Sequence, residues 1–521
     1  METEVLIIGS GIAGAVAALS LADCGIETTV VTRAQRAEES NTFYAQGGIV
    51  SEGENDSWEK LKEDVLRAGG GMTNPIAAEI LAKEGPNLVK KMLIDRAGVN
   101  FDQKNNKLAL TREGGHGEYR IVHSTDATGK AIAIALTEAL KKHPKIRLLT
   151  GFTAVDLLTP AHQSEDRLAV YEPLSCVGAY LLNQRDGTVL KCIAKHTILA
   201  TGGLGQVYEF TTNPIGARGD GVAMAHRAGA RVSNLEYIQF HPTAFFHIQA
   251  PRFLITEAAR GEGGKLTDAE GIPFMHKYDP ERKDLATRDI VSRAIYREMM
   301  SHDTKCVYLD LKSYISKEKI LLRFPTIRET LLKYNIDITK DLVPVVPAAH
   351  YSCGGIWTDA QTSETTIINL YAAGEVACNG LHGANRLAST SLLEGVVWGK
   401  RAAEEIIKRV ENKTAYVSQN IGRTKPWENL NNPDPDPALI AQDRRSIQGT
   451  MWNYVGLVRT KERLARARIE LGHIERSIEH FYQNSKTNDE LLGLRNIAKT
   501  AVLITEAAWE NKISAGCHYR E

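Results

Sequence analysis

Four segments in the middle of the chain combine histidine, arginine or glutamate with glycine or proline. They are 239–243 (QFHPT), 256–264 (TEAARGEGG), 286–289 (ATRD) and 348–355 (AAHYSCGG). Any single histidine or arginine among them is by default a structural residue or a surface charge. Together, however, they do not repeat along one face of a helix or strand, and imidazole and guanidinium groups are good donors to carboxylates. The four segments therefore indicate a shared pocket for an anion.

A second chemical signal lies near the N-terminus, where an apolar run enters Gly9-x-Gly11-x-x-Gly14 and continues as an alanine-rich helix over 15–22. The first glycine permits a tight turn, the second lets the backbone approach a pyrophosphate, and the third lets the helix pack on the strand. A pyrophosphate would then meet the positive end of the helix. Glycine-rich turns of this kind also occur without a nucleotide, so the motif predicts a dinucleotide site only together with further signals.

The next strand changes which dinucleotide is expected. The segment 27–32 (ETTVVT) is β-branched and predicts a second strand beside the first. A nucleotide-binding unit usually has an acid about 20 residues after the glycines, where it binds the ribose hydroxyls. Here the strand ends at Thr32-Arg33 without an acid, which weakens an NAD interpretation. Arg33 suits a phosphate or an adenosine face better than a ribose diol.

Further elements are expected to position these signals. In the loop 40–48 (SNTFYAQGG), small and amide residues end in a glycine pair, which predicts a backbone that lies flat against a large planar ligand. The charged segment 111–116 (TREGGH) is in isolation a solvated turn. Alternating or apolar runs predict strands at 146–158, 177–183, 196–203 and 370–375. Periodic apolar positions predict helices at 57–98, 222–230 and 391–409.

The C-terminal part reads as a separate helical unit. Asn and Pro residues at 431–437 (NNPDPDP) predict a linker, and 440–484 and 489–509 show helical periodicity. We expect a small helical bundle there, and we place Arg459 and its basic neighbours on a solvated face rather than against an acidic partner. Earlier in the chain, Asp126 is expected to cap a helix.

Composition excludes several classes of protein. At 521 residues the chain is long for one domain, so two to four units are expected. Lys+Arg and Asp+Glu balance at 63 each, which gives no electrostatic reason to expect nucleic acid or an anionic membrane. No apolar run reaches the roughly 18 residues that span a bilayer, and no signal-peptide pattern is present, so a cytoplasmic location is expected. The seven cysteines are never spaced C-x-x-C, which argues against a disulfide framework and against a metal site.

Eight motifs, in order along nearly the whole chain, resemble the succinate dehydrogenase and fumarate reductase flavoprotein family: GSGIAG, NTFYAQGG, ATGG, QFHPT, TEAARGEGG, PAAHYSCGG, LYAAGE and GANRLASTSLLEG. TREGGHG, IVHSTDATG and STSLLEG resemble the branch that oxidises L-aspartate. The resemblance implies an α/β fold with a Rossmann-like FAD-binding domain over 1–234 and 354–415. It also implies an inserted α+β capping domain over 235–353 and a C-terminal helical bundle domain over 416–521.

The resemblance further implies one non-covalent FAD per chain. Membrane-bound members bond the flavin through a histidine where this chain has Asn41, and an amide is no nucleophile. A helix that starts near Ser391 would aim its positive end at the flavin pyrimidine and stabilise the anion formed on reduction. The residues that would contact FAD are Gly9, Ser10, Gly11, Ile12, Ala13, Gly14, Arg33, Asn41, Thr42, Phe43, Tyr44, Ala45, Gln46, Gly47, Gly48, Ala154, Val155, Asp220, Glu375, Ser391 and Leu392.

The reaction implied is FAD-dependent oxidation of L-aspartate to iminoaspartate by hydride transfer to flavin N5, the first step of NAD biosynthesis through quinolinate. O2, giving H2O2, or fumarate would reoxidise the flavin, and quinolinate synthase is a candidate partner protein. Arg386 and His350, assisted by Ser389, would bind one carboxylate, and His241 and Thr256 the other. The substrate-binding residues implied are Glu113, Gln239, Thr256, Arg386 and Ser389.

The catalytic residues implied are His241, Glu257, Arg260, Arg288 and His350. Glu113 would meet the substrate ammonium, a group that succinate lacks. Arg288 is the proton donor and acceptor by resemblance, and because a guanidinium with a pKa above about 12 is a poor base at pH 7, Glu257 and Arg260 would relay the proton. Two alternatives stay open at this point: a soluble fumarate reductase with the same carboxylate site, and a non-catalytic flavin-binding protein.

Overall fold

The structure, a computed structural model, describes residues 1–125, 127–248, 250, 253–428 and 431–521. Its strands, in chain order, are β1 (Glu2–Ile8), β2 (Thr28–Thr32), β3 (Ile49–Val50), β4 (Gln103–Lys104), β5 (Lys107–Leu108), β6 (Leu110–Thr111), β7 (Ile121–Val122), β8 (Ile146–Thr150), β9 (Phe152–Leu157), β10 (Gly178–Asn183), β11 (Val189–Leu199), β12 (Val232–Ser233), β13 (Ile238–Phe245), β14 (Lys265–Thr267), β15 (Val307–Asp310), β16 (Val343–Ser352), β17 (Gly355–Trp357), β18 (Leu370–Ala372) and β19 (Ala377–Cys378).

The α-helices are α1 (Ile12–Asp23), α2 (Trp58–Ala68), α3 (Pro75–Leu88), α4 (Thr128–Lys142), α5 (Pro160–Gln163), α6 (Asp220–Arg227), α7 (Ala258–Gly261), α8 (Arg288–Ser301), α9 (Lys317–Arg323), α10 (Pro325–Leu332), α11 (Ser391–Glu411), α12 (Pro437–Tyr454), α13 (Lys461–Gln483) and α14 (Asp489–Glu510). A π-helical segment, Val89–Arg96, continues α3. The helix predicted at 57–98 is thus divided between α2 and α3. The helix predicted after Asp126 begins at Thr128, and Asp126 itself lies outside the described residues.

The largest sheet has the strand order β8-β2-β1-β11-β10-β9, with β18 beside β11. Strands β8, β2, β1, β11 and β18 are parallel, so their carboxyl ends meet at one edge, whereas β10 and β9 join antiparallel. All of β2 is buried, as expected for a central strand covered on both faces. Because β18 comes from residues far downstream, the sheet is completed by a segment that follows the intervening elements in the chain.

The glycine turn joins this sheet to α1. Gly9 has φ +119°, and a Cβ atom there would lie 2.0 Å from the Ala200 carbonyl oxygen. A Cβ atom at Gly14 would lie 2.0 Å from the Gly9 carbonyl oxygen. Only glycine permits this approach of β1, α1 and the turn after β11. The helix is buried from Ile12 to Ala22 and packs against α11, so two helix N-termini lie near the same edge of the sheet.

A second sheet, antiparallel with the order β13-β16-β15-β14, lies within the chain between β12 and β17. Helix α8 packs on β13. Strands β12 and β17 pair with each other, so the chain leaves the first unit and returns to it at adjacent points. This topology agrees with an inserted α+β unit, whose boundaries at 235 and 353 stay a prediction.

Helices α12, α13 and α14 pack together as the predicted C-terminal bundle. Each begins at a side-chain cap: Asp436, Thr460 and Asn488 accept hydrogen bonds from backbone N–H groups of the first turn. The prediction that Arg459 lies on a solvated face is wrong. It is fully buried in the turn before α13, where its Nη1 donates to the Glu236 carbonyl oxygen at 2.8 Å.

The fold class predicted from the sequence is confirmed: an α/β unit with a parallel sheet, an inserted α+β unit and a helical C-terminal part. Within the residues that the structure describes, no helix is long and apolar enough to cross a membrane. Over the same residues, no group of three or more His, Cys, Asp or Glu side chains is arranged to hold a metal ion. The cysteines of the described chain are free thiols.

Candidate functional site

A cavity of about 630 Å³ runs from the glycine turn to the inserted sheet. Its wall includes residues 8–13, 31–34, 200–202 and 373–375, which end or follow β1, β2, β11 and β18. These are the carboxyl ends of the parallel strands, the edge at which open α/β sheets bind ligands. The volume lies within the range of small-molecule sites. The cavity is therefore the candidate site.

Most of the residues predicted for the site line this one cavity. They are Gly9, Ser10, Gly11, Ile12, Ala13, Arg33, Asn41, Thr42, Tyr44, Ala45, Gln46, Gly47, Gly48, Glu113, Ala154, Asp220, His241, Thr256, Glu257, Arg288, His350, Glu375, Arg386, Ser389, Ser391 and Leu392. Five predicted residues are not part of its wall: Gly14, Phe43, Val155, Gln239 and Arg260. Gln239 and Arg260 stand behind residues that are.

The glycine-turn half of the cavity suits an anion. The N-cap of α1 is Gly11, which has no side chain to accept from the first-turn N–H groups, and no acid lies in that turn. The Ile12 N–H donates to Thr42 Oγ1 at 3.1 Å, which ties the loop 40–48 to the helix end. The positive helix end is therefore uncompensated by side-chain charge where Gly11, Ile12 and Ala13 line the cavity. This arrangement fits the pyrophosphate of a dinucleotide.

A half-buried carboxyl group lies between the loop 40–48 and the segment after β18. Asn41 Nδ2 donates to Glu375 Oε2 at 2.7 Å, and the Ser352 N–H donates to Glu375 Oε1 at 3.1 Å. Burial raises the pKa of Glu375 to about 7, although both hydrogen bonds and the charge of Arg386 oppose the rise. The Asn41 amide is thus engaged by a carboxyl group that titrates near neutral pH.

This pKa predicts a pH dependence of stability. The folded FAD-free protein keeps a proton on Glu375 that the unfolded chain releases above its ordinary pKa of 4.5. Its contribution to stability is therefore complete below about pH 4.5 and falls as the pH rises to about 7, by about 3 kcal/mol in all. We expect Glu375→Gln to gain stability relative to the wild type between pH 5 and pH 8. Thermal midpoints of both FAD-free proteins measure this, and an unchanged difference at the two pH values would contradict it.

The other half of the cavity gathers cationic and imidazole groups. The rings of His241 and His350 lie 5.4 Å apart. Arg386 is buried, and its Nε and Nη2 donate to Gln239 Oε1 at 3.2 and 2.9 Å. Its guanidinium lies 4.8 Å from the ring centroid of Tyr351, a cation–π arrangement. Gln239 and Tyr351 therefore fix the guanidinium that faces the cavity.

Hydrogen bonds and burial set the protonation of the two histidines. The Thr243 N–H donates to His241 Nδ1 at 3.2 Å, so the proton of the neutral ring lies on Nε2. Burial lowers the pKa of His241 well below its ordinary value, and the charge of Arg288 lowers it further. Burial also lowers the pKa of His350 well below its ordinary value, followed by the charges of Arg386 and Arg288. Both rings are therefore neutral hydrogen-bond donors at pH 7.

The guanidinium of Arg288 lies beside a carboxylate at the cavity wall. Its Nε donates to Glu257 Oε2 at 2.7 Å, and its Nη1 is buried without a partner among the described residues. Burial raises the pKa of Glu257, but the charges of Arg288 and Arg260 outweigh burial, so this pKa lies below its ordinary value. Arg260 donates through Nη1 to the Asp284 carbonyl oxygen, and in the described chain its other two nitrogens have no partner. Among the side-chain contacts of the predicted relay in the described chain, only the one between Arg288 and Glu257 is a hydrogen bond.

Glu113 belongs to the segment that in isolation reads as a solvated turn. Ser389 Oγ donates to Glu113 Oε2 at 2.6 Å, and a Cβ atom at Gly47 would lie 3.1 Å from Glu113 Oε1. Ser389 has φ +56°, a strained conformation for a residue with a side chain. The strained backbone and the hydrogen bond together hold a carboxylate in a cavity whose other charged wall residues include Arg288 and Arg386.

The cavity residues that sequence reasoning missed include two that contact His350. Thr212 Oγ1 lies 2.8 Å from His350 Nδ1, and Asn213 Nδ2 donates to the His350 carbonyl oxygen at 2.9 Å. Both line the cavity. Their segment contains no motif, and it reaches His350 only because Thr211 forms a bridge to Ala349 across the fold. Tyr351, by contrast, stood beside His350 in a motif already singled out.

Comparisons with known proteins agree with this geometry. The family described as FAD binding domain matches residues 4–392, and the one described as fumarate reductase flavoprotein C-term matches residues 444–521. L-aspartate oxidase of Yersinia pestis is 43% identical over 524 residues, which covers 99% of this chain and 95% of that protein. The chloroplastic L-aspartate oxidase of Arabidopsis thaliana is 40% identical, covering 99% of this chain and 80% of that protein.

Solved structures show the same fold over the whole chain. A structure of E. coli quinol fumarate reductase superposes with a TM-score of 0.88 at 26% identity, covering 100% of this chain and 91% of that one. Mycobacterium smegmatis Sdh1 superposes with a TM-score of 0.84 at 28% identity, covering 100% and 89%. With relatives above 40% identity along its full length, the chain belongs to the L-aspartate oxidases, within the FAD-binding flavoprotein family of fumarate reductase.

Proposed function

We propose that this protein oxidises L-aspartate to iminoaspartate with one non-covalently bound FAD. The names of its relatives support the substrate. The observation that favours an amino acid over a plain dicarboxylate is the Glu113 carboxylate, which Ser389 holds at 2.6 Å in the cavity that Arg288 and Arg386 also line. A dicarboxylate without nitrogen would be repelled by that negative charge, whereas an ammonium group would pair with it.

The residues of the cavity wall support an FAD whose pyrophosphate lies at one helix N-terminus and whose flavin lies at another. The glycine turn and α1 would hold the pyrophosphate, Arg33 and Asp220 the adenosine side, and the loop 40–48 with the start of α11 the flavin. Bound FAD supplies the acceptor for the hydride that leaves the substrate Cα. The hydrogen bond from Asn41 to Glu375 supports non-covalent binding, because an amide cannot attack the flavin.

The substrate carboxylates would be bound by the opposite wall. Arg386, fixed by Gln239, would form two hydrogen bonds to one carboxylate, with His350 as a further donor. His241 would donate from Nε2 to the other carboxylate, with the Thr256 hydroxyl beside it. Because both rings are neutral, they contribute directed hydrogen bonds without adding to the repulsion between Arg288 and Arg386.

Arg288 would exchange a proton with the substrate. Its buried Nη1 has no partner among the described protein groups, and the hydrogen bond at Nε makes Glu257 the next proton carrier. Arg260 follows Glu257 within the same short segment. Its positive charge lowers the pKa of Glu257, and this is how Arg260 would take part in the relay.

Anaerobic bleaching of the flavin tests the proposal. We expect L-aspartate to bleach the yellow absorbance and succinate not to, and air or fumarate to restore the colour. Acid precipitation of the same protein should leave the flavin in the supernatant. Fumarate reduction by a reduced dye, without bleaching by aspartate, would favour the alternative of a soluble fumarate reductase. A protein that binds FAD and reacts with neither ligand would be a binding protein only.

Replacing Glu113 by glutamine should separate the two ligand classes. The loss of a charge-assisted hydrogen bond to the ammonium should raise the KM for L-aspartate about 10- to 100-fold. The KM for fumarate should not rise, since fumarate has no ammonium group and the substitution removes only the repulsion from the Glu113 charge. Steady-state kinetics with each ligand measure this. Glu118→Gln is the matched control, because Glu118 follows this segment closely in the chain but pairs with Lys60 at the surface.

An equal rise of both KM values in Glu113→Gln would show that Glu113 does not recognise the substrate ammonium group.

The finer biological setting stays a prediction of the resemblance: O2 or fumarate as acceptor, NAD biosynthesis through quinolinate, contact with quinolinate synthase, and a cytoplasmic location. The division into domains at 1–234 with 354–415, 235–353 and 416–521 is likewise part of the proposal.

A further inference from the structure

The end of β2 lacks the acid that a dinucleotide-binding unit usually carries there. Arg33 stands in its place and lines the cavity. A carboxylate nevertheless lies at this edge, because Asp489, the first residue of α14, accepts from Arg33 Nη1 at 3.0 Å through Oδ2. The two residues are 456 positions apart in the chain. The C-terminal bundle thus supplies an acid at the position where the α/β unit has none.

The same carboxylate binds a second arginine, Arg218, which is buried. Arg218 Nη1 and Nη2 donate to Asp489 Oδ2 and Oδ1, each at 3.1 Å, and Arg218 Nη2 also donates to Asp220 Oδ2 at 2.9 Å. Thr153 donates to Asp489 Oδ1 at 2.6 Å. A Cβ atom at Gly493, one turn along α14, would lie 2.5 Å from Arg218 Nη1, so glycine is required there for the arginine to lie against the helix.

This cluster holds two positive and two negative groups beside the cavity wall. Arg33, Thr153 and Asp220 line the cavity, whereas Asp489 is not part of its wall. Burial raises the pKa of Asp489, but the charges of Arg218 and Arg33 outweigh it and hold this pKa below its ordinary value. Asp489 is therefore ionised at neutral pH, and its removal would leave two guanidinium groups close together without a shared counter-charge.

We propose that Asp489 is a positioning residue for FAD, which holds Arg33 against the wall that receives the adenosine side, so that docking of α14 completes the cofactor site. The inference rests on the placement of FAD proposed above and not on the identity of the substrate. Arg33 would otherwise be a long side chain at a cavity mouth with many rotamers, and a fixed partner removes that freedom before the ligand arrives.

The test is the FAD affinity of Asp489→Asn, measured by titrating FAD-free protein and following the flavin fluorescence. We expect the dissociation constant to rise at least about tenfold, which corresponds to about 1.4 kcal/mol. With FAD saturating, the KM for L-aspartate should equal that of the wild type. Glu490→Gln is the matched control: Glu490 is also an acid in the first turn of α14, but it pairs with Arg444 at the surface. It should bind FAD like the wild type.

A double-mutant cycle with Arg33→Met separates the possible outcomes. If Asp489 acts through Arg33, the combined variant should bind FAD no more weakly than Arg33→Met alone. Additive losses, or wild-type affinity in Asp489→Asn alone, would overturn the inference. Wild-type affinity in both single variants would instead overturn the placement of FAD. Should Asp489→Asn not fold, Asp489→Glu keeps the charge but displaces it, and unchanged FAD affinity in that variant would equally overturn the inference.

Discussion

Arg288→Leu is expected to abolish L-aspartate oxidation while the protein keeps its FAD. The loss of a proton-transfer group costs about 10²- to 10⁴-fold in rate, and we expect the upper end of that range. The reason is that Arg288 also supplies positive charge at the reacting end of the substrate. Turnover with L-aspartate and fumarate, together with the flavin absorbance of the purified variant, measures both parts of the prediction. Substantial residual oxidation would show that the proton leaves by another route.

The matched control for Arg288→Leu is Arg297→Leu on the same helix. Arg297 is about half exposed on α8 and pairs with Glu521, so its loss tests the effect of removing an arginine from this helix without touching the cavity. We expect Arg297→Leu to be nearly as active as the wild type. Loss of activity in both variants would mean that α8 has been displaced, and the assignment of Arg288 would then need a variant that retains the charge, such as Arg288→Lys.

Much of the fold could be predicted because its signals are local. The turn at Gly9 and Gly14 needs backbone conformations and approaches that other residues cannot reach, so the sequence itself marks the strand, turn and helix. The helix predicted to begin near Ser391 does begin there. Its apolar periodicity continues over five turns, which identifies the element as a helix. The carboxyl ends of parallel strands then bring distant turns to one edge.

The candidate site could be predicted in part for the same reason. His241, Arg288, His350 and Arg386 lie in motifs and line one cavity. Their partners could not be predicted, because those contacts are made by tertiary packing. Thr212 meets His350 through a bridge between distant segments, and Asp489 meets Arg33 across 456 positions. No periodicity or spacing in the sequence connects such pairs.

The burial of Arg459 has a similar explanation. Its charge and its charged neighbours predict a solvated face, yet it precedes α13 in a turn and donates to carbonyl oxygens of Glu236, Val455 and Gly456. A guanidinium with five donors satisfies several carbonyl groups that a chain crossing leaves unpaired. The pattern of charges in a sequence predicts exposed helix faces well. It does not predict where a loop from another part of the chain, such as the one that contains Glu236, packs against a charged residue.

Arg386→Leu is expected to cause the largest loss of substrate binding. Truncating one partner of a buried charge pair costs about 2–5 kcal/mol, so kcat/KM for L-aspartate should fall by about 10³-fold. The substrate would lose both hydrogen bonds from the guanidinium, which Gln239 Oε1 fixes by accepting two hydrogen bonds and Tyr351 by its ring. Perturbation of the flavin spectrum by a dicarboxylate that does not react measures binding apart from turnover.

Arg386→Lys distinguishes charge from geometry at this position. A lysine keeps the positive charge but cannot form the paired hydrogen bonds of a guanidinium, and it loses part of the stacking on Tyr351. We therefore expect it to recover only a small fraction of the lost kcat/KM. Full recovery would mean that Arg386 acts as a point charge and that the hydrogen bonds to Gln239 serve stability alone. Unchanged kcat/KM in Arg386→Leu would move the carboxylate site to another part of the cavity, with His241 and His350 as its remaining donors.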